Sequence, residues 1–196
     1  MDTRTVVLAL VIVAILIATG AAIVMRRRKS DQLKRRFGPE FDRTVAHEHG
    51  DTRRAEATLS DREKRVEAFP IRALSPVDRE AYAMEWAAVQ RRFVDDPSAA
   101  VGTADRLVGR VMFDRGYPMT NFEQRAADIS VSHPAVVQNY RAAHDIVVRH
   151  GESKATTEDL RQAMVHYRSL FEELLQPSKV EPIANKRRGV AHERAS

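Results

Sequence analysis

From Val6 to Met25 the chain carries twenty consecutive uncharged residues, with only Thr19 and Gly20 interrupting aliphatic and small side chains. At about 1.5 Å per residue a helix of that length covers about 30 Å, the thickness of a bilayer's hydrocarbon core. In lipid the backbone N–H and C=O groups must be satisfied within the segment, so the run predicts one membrane-spanning helix over 6–25. A cleaved secretory signal would have a basic start and an apolar stretch of about 7 to 15 residues. Here only Arg4 precedes the run, and Arg26-Arg27-Arg28-Lys29 follows it, where a stop-transfer flank belongs. Basic residues beside a span are retained on the cytoplasmic side, which predicts residues 1–5 outside and the remaining chain inside.

Beyond the span the pattern turns helical and amphipathic. A basic juxtamembrane segment, 26–36, continues the helix until Phe37-Gly38-Pro39 breaks it, and Pro39 opens a short helix. Thr52 to Glu67 is dense in charge, with Leu59 and Val66 the main apolar exceptions, so residues 37–74 are expected to form a charged, solvated helical spacer. Ser75-Pro76 is a helix start: serine caps, and proline sits in the first turn, where its missing N–H is not needed. Tyr82, Trp86, Val89 and Phe93 then fall on one face. Asp95-Asp96-Pro97 ends that helix and begins the next, with Asp96 as cap and with Ala100, Ala104, Leu107, Val108, Val111 and Met112 as its apolar face, until Gly116-Tyr117-Pro118.

Thr120 and Glu123 have capping-box spacing and predict a short helix to about Ile129. Pro134 is expected to open another, carrying Val136, Val137, Tyr140, Ala143, His144 and Val147 until Gly151. The last starts after Thr156 or Thr157 and carries Leu160, Ala163, Met164, Tyr167, Leu170, Phe171 and Leu174. No segment alternates over a strand's length. The expected fold is all-α: one transmembrane helix, the spacer, and a bundle of four to five helices over 75–176. Residues 177–196 are poor in large apolar side chains and are expected to be a disordered basic tail.

Charge sharpens this layout. The net charge is +5, yet residues 26–36 hold seven basic residues and one acid, 37–176 hold nineteen basic and twenty-three acidic, and 177–196 hold five and two. The basicity therefore belongs to the flanks, and no uniformly basic nucleic-acid surface is implied. Arg26, Arg27, Arg28, Lys29, Lys34, Arg35 and Arg36 are the candidate contacts to anionic lipid headgroups, where each basic residue contributes on the order of 1 kcal/mol. Lys186-Arg187-Arg188 lacks the interleaved aromatic residues that stacking on nucleic acid requires. Ala14, Ala18 and Ala22 recur every four residues, a spacing that lets a second helix approach, although alanine is common in spanning helices.

Candidate chemistry is thin. Cysteine is absent, which removes disulfides, thiolate nucleophiles and zinc–thiolate sites. Asn121, Asn139 and Asn185 all lack the hydroxyl residue of a glycosylation sequon. The glycines form neither Gly-x-Gly-x-x-Gly nor a phosphate loop. His47-Glu48-His49 misses the spacing that puts two histidines on one helix face. His144 and His166 fit hydrogen-bonded histidines beside a core, and Asp95 and Asp96 fit a helix cap. No cofactor is indicated.

Taken together, Arg35-Arg36-Phe37-Gly38-Pro39-Glu40-Phe41-Asp42-Arg43, the Trp86 to Pro97 segment and Thr157-Glu158-Asp159-Leu160-Arg161 resemble a family of bacterial single-pass membrane proteins with a helical cytoplasmic body and no assigned function. The resemblance implies a bacterial plasma membrane and supplies no catalytic residues. The expected function is that of a membrane-anchored, non-enzymatic interaction or scaffold protein that holds a protein partner or a second copy of itself. One alternative is an enzyme with a site dispersed over His144, His166 and Asp114. Another is lipid or nucleic-acid binding through the basic flanks.

Overall fold

The computed structural model describes residues 3–176, so the expected tail from Pro177 onward lies outside the described residues. Within them the chain is all-α, with eight helices and no strand. It divides into two compact units, one reaching to Asp61 and the other starting at Arg62.

The first unit holds α1 (Thr3–Phe37), α2 (Pro39–His47) and the start of α3 (Thr52–Glu67). The backbone of α1 runs unbroken through the apolar segment and the basic one. It stops where the sequence predicts, because Gly38 turns at φ +51° and Pro39 opens α2. Leu33, Phe37 and Phe41 recur every four residues and are all buried. Between α2 and α3 the chain passes through His49 and Gly50, both at positive φ, and Asp51 accepts the amide hydrogens of Arg53 and Arg54 at 3.0 and 3.1 Å. The solvated spacer needs correcting here. Ala55, Leu59 and Val66 share one face of α3 and all are buried; alanine is too small to stand out in a charged run.

Among the described residues no helix is long and apolar enough to cross a membrane. The side chains of residues 3–11, 13, 14 and 22, a large part of the apolar run, lie outside the described residues. What is shown there is a continuous helical backbone, and the expected single transmembrane span is not supported among the described residues. Where its side chains are described, Ile15, Leu16, Ile17, Ile23, Val24 and Met25 are about half to two-thirds exposed.

The second unit takes the end of α3, then α4 (Pro76–Asp95), α5 (Pro97–Asp114), α6 (Phe122–Ser132), α7 (Val137–Gly151) and α8 (Thr157–Leu175). Helix α4 packs on α5, α5 on α8, α7 on α8, and α6 on α7. Every apolar position expected in α8 is buried, as are Tyr82, Trp86 and Val89 of α4 and the whole expected face of α5. Trp86 stacks on Phe171 with centroids 4.7 Å apart, joining α4 to α8. Ser75 caps α4 by accepting from Asp78 N, Asp96 caps α5 by accepting from Ala99 N, and Thr156 and Asp159 form a reciprocal capping box on α8.

Three expectations change. Asn121, not Thr120, caps α6: its side chain accepts from Gln124 N at 2.9 Å, while the Thr120 hydroxyl turns to Asn121 O. Asn is among the strongest N-caps, and it sits one residue closer to the helix. That helix runs on to Ser132. Pro134 opens a turn instead of a helix, and α7 starts at Val137. The compact unit also begins at Arg62, before Ser75. Residues 68–74 form a non-helical strap on the end of α5, where Arg72 N donates to Arg115 O at 2.9 Å and Arg72 Nε to Asp114 O at 3.0 Å. Gly116 makes this approach possible: it sits at φ +92°, and a Cβ there would lie 2.5 Å from Pro70 O.

Candidate functional site

The seven basic residues singled out in the sequence all lie exposed on one helix, α1. At 100° per residue, Arg26 to Lys29 distribute round the whole circumference, while Lys34 to Arg36, about 11 Å further along the axis, cover roughly 200° and leave the other side to the buried Leu33 and Phe37. The first four form a collar and the last three a one-sided patch. Arg28, Asp31, Gln32, Arg35 and Arg36 line a shallow surface groove along the same stretch. Asp31 and the buried Leu33 lie between the two basic groups.

The residues of the dispersed-site alternative are not drawn to one another by any contact; each has its own partner. The His144 ring stacks on Phe122 with centroids 3.5 Å apart. His166 Nδ1 lies 3.0 Å from Asn139 Oδ1, and the Asn139 amide donates to Ser169. Asp114 accepts from the Tyr82 hydroxyl at 2.5 Å. Burial, then the hydrogen bond to Asp114, raises the Tyr82 pKa. Asp96 is the expected cap, also 3.8 Å from Arg92. His47 Nδ1 is 4.0 Å from Glu48 Oε1, an atom that accepts from Thr58 at 3.2 Å. Among the described residues no group of three or more His, Asp and Glu could hold a metal ion. Of the alanine stripe, Ala14 and Ala22 have side chains outside the described residues.

Elsewhere the buried charges of the bundle serve to join elements. Arg65 Nε donates to Asp128 Oδ1 at 2.9 Å, and Gln124 donates to the same oxygen at 3.0 Å, which pins the end of α3 to α6. Arg115, 1 % exposed, donates to Leu174 O at the end of α8; burial lowers its pKa. The sequence reading passed over the outer face of α5, where Phe113 is 63 % exposed and neighbours Arg106 and Arg110. The available signal was that Phe113 falls off the apolar period of its helix. No protein-family model, no curated protein and no solved structure matches the chain.

Proposed function

We propose that the protein is a single-pass membrane protein with its N-terminus outside and its helical body on the cytoplasmic face, where that body acts as a non-enzymatic interaction or scaffold module. One observation carries the reading. Ile15, Leu16 and Ile17, then Ile23, Val24 and Met25, are exposed round the full circumference of α1. A helix that is apolar all round needs an apolar surround. The run 6–25 contains twelve Leu, Ile and Val residues and no charge. At roughly 0.3 to 0.6 kcal/mol each, these favour insertion by about 4 to 7 kcal/mol. The basic residues 26–36 follow directly and favour the inner leaflet, in keeping with the resemblance to bacterial single-pass proteins.

An interaction role for the body is supported by large apolar side chains left exposed on it, among them Val77, Met84 and Phe113. The test is alkaline carbonate extraction of native membranes followed by cross-linking in the intact cell. Retention in the membrane pellet and a reproducible cross-linked protein partner or dimer are expected. Release into the supernatant would contradict the anchor, and cross-linking to nothing would contradict the interaction role.

A further inference from the structure

Arg106, Gly109, Arg110 and Phe113 of α5, with Met119 and Arg125, line an open groove of about 510 Å³ on the bundle. Its apolar part is unusually bare, with Phe113 63 % and Met119 50 % exposed. Its cationic part is only partly neutralised. Arg110 is paired with Glu85, and the Asp105 carboxylate accepts from the Tyr167 hydroxyl at 2.9 Å. Among the described residues Arg106 donates only to the Thr103 hydroxyl, at 3.0 Å. Arg125 has a buried Nε with no hydrogen-bond partner among the described residues. Among the described residues these two guanidiniums thus stand beside two apolar side chains without an ion pair, although Asp105, held by Tyr167, also lines the groove.

Gly109 adds a second observation. It is buried in mid-helix, and a Cβ there would meet Met119 Cε at 3.5 Å and Arg125 Nη1 at 3.7 Å, which is ordinary contact. The fold therefore has room for alanine, which a helix interior prefers by about 0.5 to 1 kcal/mol. Glycine instead leaves the floor between Met119 and Arg125 open.

We propose that this groove docks an acidic, apolar segment of a partner protein, with carboxylates on Arg106 and Arg125 and a large apolar side chain between Phe113 and Met119 over Gly109. The mixed lining favours such a segment over a polyanion, because nucleic acid would leave Phe113 and Met119 unmatched and would meet a body, residues 37–176, with four more acids than bases. This proposal rests on the interaction role and is independent of the anchor.

The test is selection of random twelve-residue peptides displayed on phage, against the full-length protein in nanodiscs of neutral phosphatidylcholine. The expected outcome is enrichment of peptides that pair Asp or Glu with Leu, Phe or Met. Their binding should fall at least tenfold in Arg106→Glu/Arg125→Glu and in Gly109→Leu, and stay unchanged in Arg168→Glu on α8. Circular dichroism shows whether each variant is folded; Arg106→Glu alone, fully on the surface, serves if the others are not. Enrichment of no peptide, enrichment of peptides without acids, or binding unaffected by Arg106→Glu would overturn the proposal. A shift in oligomeric state on Arg106→Glu would overturn it in favour of a second copy. None of these outcomes touches the carbonate extraction, so the groove and the anchor fail separately.

Discussion

Gly116→Ala probes the contact that joins the strap to the bundle. Gly116 sits at φ +92°, where an L side chain costs about 1 to 2 kcal/mol. The new Cβ would lie 2.5 Å from Pro70 O and 3.0 Å from Pro70 C, both backbone atoms that no rotamer change can move. The strap must retreat, which lengthens the bonds from Arg72 N to Arg115 O and from Arg72 Nε to Asp114 O. Losing one of them costs about 1 kcal/mol. The expected destabilisation is about 2 to 3 kcal/mol, combining strain and the lost bond. Trp86 is the sole tryptophan and is buried against Phe171, so urea unfolding of the full chain in mild detergent can be followed by its fluorescence. Gly151→Ala is the control: at the end of α7 it has an ordinary φ and nothing within 4 Å of a new Cβ. Its stability should match or slightly exceed that of the unmodified protein. If Gly116→Ala also stays within about 0.5 kcal/mol of the unmodified protein, less than one hydrogen bond, the strap does not pack as described.

Further outcomes follow from other contacts. Arg65→Ala leaves the Asp128 carboxylate, 2 % exposed, without its cation. Because the Arg65 side chain is itself 40 % exposed, the cost discounts to about 1 to 3 kcal/mol in the same assay, and Asp128→Asn in the same chain should recover part of it. Tyr82, Tyr117, Tyr140 and Tyr167 are the only tyrosines, and burial raises the pKa of all four, Tyr140 from 10.0 to about 12. Folding thus favours the protonated phenols; the Tyr140 contribution is fully present below pH 10 and is lost as pH rises towards 12. Tyrosinate absorbance should therefore rise together with cooperative unfolding, and a plain titration near pH 10 in folded protein would contradict the burial. Ile15→Asp/Ile17→Asp introduces two mid-span carboxylates at about 3 kcal/mol each or slightly more, enough to cancel the apolar gain. Carbonate should then release the chain, and continued retention would count against a lipid surround for α1.

Much of the fold was legible because it rests on local rules. The face of α8 is read straight from a 3.6-residue period, and the starts at Ser75-Pro76 and Asp96-Pro97 follow from capping chemistry that needs no tertiary partner. What escaped depends on contacts between distant segments. Thr120 and Asn121 are adjacent cap formers, and only the backbone path selects Asn121. The strap at 68–74 has no periodicity, since its place is set by one backbone approach to Gly116. Ala55 hides the buried face of α3 behind charge. The basic residues of α1 were visible as a run, but their disposition round the axis required an unbroken helix. The arginine groove escaped altogether, because Gly109, Arg106 and Phe113 lie outside the apolar period that marks the core of α5.

The central proposal is that α1 crosses a membrane with the bundle inside. The chain has no cysteine, so single cysteines can be placed without background. In intact cells a membrane-impermeant maleimide should label Thr3→Cys. It should label Glu172→Cys, whose position is 57 % exposed on α8, only after the membrane is opened. Labelling of Glu172→Cys in intact cells, or protection of Thr3→Cys there, would contradict the account.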